Sequence, residues 1–236
     1  MPTADAGNAN LLRTLTRAVL WVRELSRHRS IGVKIQVSRV HIPKLGIIAA
    51  LRQKTDYRRW ADTRNLYSEW EPRTKRAAEL VPAGSRVIEF GAGTRALERH
   101  LDSSCTYTPS DLVDRGPGTI VCDLNERPLP EISADTYDVV VAVGVLEYIR
   151  DLPSVVEWWA TFAPRCVISY ACPDTNDQMT RTKLGSIDRV SRGWLNSYLE
   201  EEIRTLFRDR GYTSEHEENW SNVDGYQHRL FVFAKQ

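Results

Sequence analysis

From Arg86 onward the chain alternates short apolar runs with stretches of helical period. The alternation stops at the last two runs, which have no helix between them. Strand candidates are Arg86–Phe90, Tyr107–Ser110, Thr119–Val121, Asp138–Val143, Arg165–Tyr170, Tyr212–Glu217 and Arg229–Ala234. Helix candidates between them are Arg95–Leu101, Leu152–Phe162 and Leu199–Arg210. Apolar strands separated by helices form a parallel sheet covered on both faces, because each crossover helix packs back onto the sheet. A connection as short as Asn219 to Gln227 leaves no room for a crossover, so the last two strands should pair antiparallel. The expected fold is α/β: a doubly wound, Rossmann-like, mostly parallel seven-stranded sheet with an antiparallel C-terminal hairpin.

The front of the chain reads differently, as a basic helical N-terminal extension or lid over residues 1–70, ahead of a domain spanning 71–236. Residues 1–60 carry 12 Lys/Arg against 3 Asp/Glu, or +9; the remainder carries 20 against 28, or −8, and the two sum to the net +1. Leu12, Leu15, Val19 and Val22 share one stripe of a helix over 10–28, and Ile31–Val40 alternates like a short strand. A basic amphipathic front on an acidic body suits peripheral membrane or anionic-surface contact through residues 10–40; it equally suits a solvated face that pairs with the acidic domain. Leu45 to Trp70 reads mostly helical, with Trp60, Leu66, Tyr67 and Trp70 as apolar anchors. No apolar run approaches the roughly 20 residues that span a bilayer, and Arg13, Arg17 and Arg23 interrupt any secretory pattern. Cys105, Cys122, Cys166 and Cys172 lack C-x-x-C spacing and a nearby His, which argues against a metal site and suits free thiols. The expected location is cytoplasmic, peripheral at the inner membrane surface.

The chemistry concentrates where strands end. Val87-Ile88-Glu89-Phe90 runs into Gly91-Ala92-Gly93, and a helix follows. Bare backbone at such a turn admits a nucleotide-like ligand, and the N–H groups of the helix start favour its anionic group. Glu89, two residues before the first glycine, can accept from an ammonium. About twenty residues on, Asp111, followed by Leu112, stands where an acid binds two ribose hydroxyls. Cys122-Asp123-Leu124 follows the third strand and suits an adenine amino group, and Gly144 closes the fourth strand at the reacting end. The order and spacing of these pieces point to S-adenosyl-L-methionine as cofactor.

With Glu89/Gly91/Gly93, Asp111, Asp123 and the run Gly144-Val145-Leu146-Glu147-Tyr148, residues 70–236 resemble class I S-adenosylmethionine-dependent methyltransferases. The resemblance implies cofactor roles for those residues. Two departures stand out. Arg95 occupies a position where the family often has a third glycine, which bears on the rim of the pocket. Tyr148 stands where many relatives carry a His base. The runs Asp111–Arg115 and Gly193-Trp194-Leu195-Asn196 are similar to bacterial methyltransferases of polysaccharide-biosynthesis type, which implies O-methylation of a sugar hydroxyl.

A dinucleotide dehydrogenase also fits Gly91-Ala92-Gly93-Thr94-Arg95-Ala96, but Glu89 puts charge where that class keeps an apolar residue. Methyl transfer from a sulfonium needs alignment more than a base, so the catalytic candidates Glu147, Tyr148 and Asp174 are open. Tyr67, Arg181, Trp194 and Tyr198 are the candidates for acceptor binding, the last three from the long polar stretch after the fifth strand. His216 and His228 read as structural. Alternatives to sugar O-methylation are a natural-product N- or phenol O-methyltransferase and a non-catalytic cofactor-binding module. A nucleic-acid enzyme lacks support, since Gly144-Val145-Leu146-Glu147 replaces any amino-methylation motif.

Overall fold

A computed structural model describes residues 44–173, 187–221 and 227–236, all within one compact unit, 42–236. The amphipathic stretch 10–28, the alternating stretch to Val40, and Asp174 and Arg181 lie outside the described residues. The elements run α1 (Lys44–Leu51), α2 (Tyr57–Ala61), α3 (Glu71–Glu79), β1 (Arg86–Phe90), α4 (Ala96–His100), β2 (Thr106–Asp111), β3 (Ile120–Val121) and β4 (Val139–Ala142). They continue with α5 (Leu152–Trp159), β5 (Arg165–Ala171), α6 (Ile187–Ser191), α7 (Glu200–Arg208), β6 (Tyr212–Ser221) and β7 (Gln227–Lys235). Short 3-10 turns sit at Thr63–Asn65, Ser68–Trp70 and Leu146–Tyr148.

The seven strands form one sheet in the order β3-β2-β1-β4-β5-β7-β6. β1 pairs parallel with β2 (Glu89 opposite Pro109) and with β4 (Val87 opposite Val139). β7 runs antiparallel to both β5 and β6, so it alone is reversed. The expected doubly wound sheet and terminal hairpin are both present.

Strand alternation divides the core into two layers, because successive side chains point to opposite faces. Ile88, Phe90, Val140, Ile168, Phe231 and Phe233 face α5 and α7, where Val155, Val156, Trp159, Ile203 and Phe207 complete a continuous buried cluster. Val87, Val139, Val141, Val167 and Val232 face Ala77 and Ala78 of α3 and Leu97 of α4. α5 starts where the Asp151 side chain accepts from the Ser154 N–H and Pro153 occupies the first turn. Trimming one methyl in the middle of β5, Ile168→Val, is expected to cost about 0.5–1.5 kcal/mol. Urea unfolding checks it; an unchanged midpoint would contradict the packed-core description.

The sequence departs from the structure at the edges. The Thr119–Val121 run yields only two paired residues, a short edge strand with Val121 exposed. β6 and β7 outrun their apolar segments, since backbone pairing continues through polar positions such as Asn219 opposite Arg229. The stretch to Trp70 is not one helix: Asp56 and Asp62 each cap a new short element through their side chains.

Candidate active site

The order of strands reverses between β1 and β4, and a doubly wound sheet opens a crevice over the carboxyl ends of its strands at that point. A cavity of about 570 Å³ lies there. Its floor comes from the ends of β1, β2, β3 and β4, with Glu89, Asp111, Asp123 and Gly144 all on its wall. Segment 54–70 and α3 supply the facing wall.

The glycine turn is built by packing as much as by ligand access. Gly91 has φ +75°, and a Cβ there would meet the Val145 Cγ2 at 2.4 Å. A side chain there would be strained at this φ and would force the Val145 side chain to shift. Gly144 has φ +71°, and the Arg73 guanidinium occupies the space of its missing Cβ at 2.6 Å. The Gly91 and Ala92 N–H groups are already bonded to the Ser110 carbonyl, and the Gly93 N–H donates to Asp111 Oδ2 at 2.8 Å.

Three acids line the cofactor half. Glu89 is buried, and the Tyr107 hydroxyl donates to its Oε2 at 2.5 Å. Burial pushes the Glu89 carboxyl up to about 8, against the lowering effect of the Tyr107 hydrogen bond; the Asp111 charge nearby raises it further. Asp111 accepts from the Leu112 N–H (2.7 Å) and the Arg115 guanidinium (3.1 Å) at Oδ1 and from Gly93 at Oδ2. A carboxylate has about four lone-pair positions, so three are filled by the chain. The position left open at Oδ2 can take a ribose hydroxyl without releasing Arg115 from Oδ1. Asp123 Oδ1 accepts from the Thr55 hydroxyl (2.8 Å) and the Asn125 N–H (2.9 Å). The Cys122 thiol is pushed up to about 11 by burial and stays protonated.

The other half is aromatic and basic. Trp60, Tyr67, Trp70, Tyr148 and Trp194 line it, with Arg59, Arg73, Arg192, Glu147 and His228. Trp60 meets Tyr148 edge-on at 4.9 Å between ring centroids. Burial pushes the Tyr148 phenol up to about 12, so it donates but does not take a proton near neutrality. Glu147 Oε1 accepts from the Ala171 N–H at 2.7 Å, and Oε2 has no partner among the described residues. Arg73 lies 2.8 Å from His228 Nδ1. A guanidinium only donates, so Nδ1 accepts and the ring proton sits on Nε2; the 3.8 Å separation of Nδ1 from Glu147 is too long for a hydrogen bond.

The sequence candidates distribute unevenly. Glu89, Gly91, Ala92, Gly93, Asp111, Leu112, Cys122, Asp123, Leu124, Gly144, Glu147, Tyr148, Tyr67 and Trp194 all line the one cavity. Tyr198 does not: its ring packs against Tyr170 and its N–H donates to the Tyr170 hydroxyl at 2.8 Å. Nor does Arg95 shape the rim. It takes a left-handed conformation, φ 56°, before α4 and turns to Glu98. The described part of the polar stretch is no exposed loop, since Arg189, Trp194 and Asn196 are buried. Asn196 donates to the Leu146 and Ile149 carbonyls (2.7 and 2.8 Å), bracing the turn that carries Glu147. Arg73, Arg115, Thr55, Trp60 and His228 are the site residues that sequence reading did not assign.

A doubly wound sheet with a reversed seventh strand, an acid before the glycine turn, and acids at the next two strand ends define an S-adenosylmethionine-binding enzyme of Rossmann type. The chain belongs to the methyltransferase domain family, whose sequence pattern matches residues 57–217. No curated protein matches it in sequence. Among solved structures it is similar in fold to 1,6-didemethyltoxoflavin-N1-methyltransferase of Burkholderia thailandensis bound to S-adenosylhomocysteine (TM-score 0.59, 15% identity, covering 80% of this chain and 88% of that one). It is also similar to magnesium protoporphyrin IX methyltransferase of Synechocystis PCC 6803, again with S-adenosylhomocysteine (0.52, 18%, 71% and 84%). The protein is thus an S-adenosylmethionine-dependent methyltransferase.

Proposed function

We propose that this methyltransferase acts on an oxygen of a small molecule or glycan, in the first instance a sugar hydroxyl. The observation that carries this is the makeup of the cavity's second half. Trp60, Trp70 and Trp194 line it together with Tyr148, Glu147, His228 and Arg192. Aromatic faces cover the apolar face of a sugar ring, while donors and a carboxylate take its hydroxyls. When bound, the cofactor supplies an electrophilic methyl group. The chain aligns the acceptor oxygen and excludes water. Glu89, Asp111 and Asp123 hold the cofactor's ammonium, ribose and adenine ends, with Gly91–Gly93, Leu112, Cys122, Leu124 and Gly144 around them. Glu147 is the candidate for taking up the hydroxyl proton.

The same aromatic walls suit a planar ring, which favours a natural-product N- or phenol O-methyltransferase as second reading; the toxoflavin-precursor enzyme is a neighbour of that kind. We also place the protein in the cytoplasm, with residues 10–40 as contact to an anionic membrane surface. Among the described residues no helix is long and apolar enough to cross a membrane.

Transfer of labelled methyl from S-adenosylmethionine to sugars, lipid-linked glycans, phenols and amines tests the reading. Product with a sugar hydroxyl is expected. Product only with amines or phenols selects the second reading, and no product with any class contradicts both readings of the acceptor.

A further inference from the structure

Two of the three acids of the cofactor half are also fastened to the opposite wall of the cavity. The Arg115 guanidinium bonds Asp111 at 3.1 Å and also donates to the Trp60 carbonyl at 2.5 Å and the Ala61 carbonyl at 3.4 Å. It is buried together with Asp111. The Thr55 hydroxyl bonds Asp123 and accepts from Asn125 Nδ2 at 2.9 Å. Between these two ties lies α2, whose Arg59 donates to the Arg192 carbonyl at 2.7 Å and whose Trp60 ring packs on Tyr148. Each anchor therefore joins a cofactor acid to the segment that walls the acceptor half.

We propose that Arg115 is a positioning residue that links cofactor occupancy to the shape of the acceptor half, by tying the Asp111 carboxylate to the carbonyls that end α2. The inference rests on the cofactor reading of Asp111 and Asp123 given above. A guanidinium suits this geometry. Its planar fork serves the carboxylate and two carbonyls together, whereas a lysine ammonium is a point donor on a flexible stem. Filling the cofactor half immobilises Asp111 and Asp123, and through Arg115 and Thr55 it holds residues 55–61 and sets the Trp60 ring against Tyr148. Linkage is reciprocal, so a firm α2 segment raises cofactor affinity by the factor that cofactor firms the segment. The acceptor then meets a finished wall only after the cofactor has bound.

Amide hydrogen exchange on the full chain, with and without saturating S-adenosylhomocysteine, tests this. In the wild type, residues 57–61 should gain at least about fivefold protection along with residues 91–93. In Arg115→Lys, saturated at a higher ligand concentration set by calorimetry, protection at 91–93 should persist while the gain at 57–61 is lost; affinity should fall about tenfold. A purely structural Arg115 would leave the 57–61 exchange independent of ligand. Thr55→Val, at a half-buried position, should lose part of the gain without unfolding the chain. Wild-type binding with no change at 57–61, or full protection there in Arg115→Lys, overturns the proposal. Absence of any binding by the wild type would instead sink the cofactor reading, so the two failures are distinct.

Discussion

Replacing Asp111 with Ala is expected to weaken S-adenosylhomocysteine binding roughly 10- to 150-fold, since a hydrogen bond to a charged group contributes about 1.5–3 kcal/mol. It should also destabilise the fold by about 3–5 kcal/mol. The change removes the acceptor of the Gly93 and Leu112 N–H groups and leaves the buried Arg115 without its carboxylate. Asp111→Asn separates the two effects. It keeps one oxygen for the backbone donors, so stability should fall less than in the alanine variant while affinity still drops. Titration calorimetry and urea unfolding on the same preparations measure both. Affinity within twofold of wild type in the alanine variant would show that the ribose is held elsewhere.

Binding should also depend on pH through Glu89. Its ordinary value is 4.5, and burial pushes it to about 8 in the folded chain. Between those values the folded chain keeps a proton that the unfolded chain has lost. The contribution of this group to stability is therefore full below about pH 4.5 and is lost as pH rises through 8. Cofactor binding runs the opposite way. An ammonium favours the carboxylate form, so below pH 8 Glu89 must release its proton. Tyr107, Asp111, Glu98 and Arg95 are the groups that act on it, and of these the Tyr107 hydrogen bond and the Arg95 charge favour the carboxylate. Affinity for S-adenosylhomocysteine should rise by up to about tenfold per unit between pH 6 and 8 and then level off. Calorimetry in buffers of different ionisation enthalpy should record release of about one proton near pH 7. Glu89→Gln should flatten the profile; an unchanged slope in that variant would assign the dependence to another group.

The cofactor half was legible because its signals are local. An apolar run, an acid and a glycine turn are adjacent in sequence, and strand-end acids recur where each run of β-formers breaks, as at Asp111 and Asp123. The parallel sheet followed from strands buried on both faces, which leave apolar runs that short polar stretches interrupt. The acceptor half was legible only in part: Tyr67, Glu147, Tyr148 and Trp194 line it as expected, but its long-range pairings left no local signal. Arg73 and His228 are 155 residues apart and Thr55 and Asp123 are 68 apart, so no window contains both partners. His228 looked structural because a lone His on a strand usually is, and only the fold brings Arg73 and Glu147 beside it. Arg115 did leave a trace, four residues after Asp111, but that spacing is a helix signal and here it spans a loop. Tyr198 misled because the stretch before it is polar, whereas Arg189 is drawn inside by the Ala171 carbonyl and the Trp194 ring.

The most direct measurement is calorimetric titration of S-adenosylhomocysteine into the purified wild-type chain beside Asp111→Ala. A single site in the wild type, with affinity reduced at least tenfold in the variant, is the predicted result. A wild type that takes up no ligand, or a variant that binds as tightly, would contradict the assignment of this cavity to the cofactor.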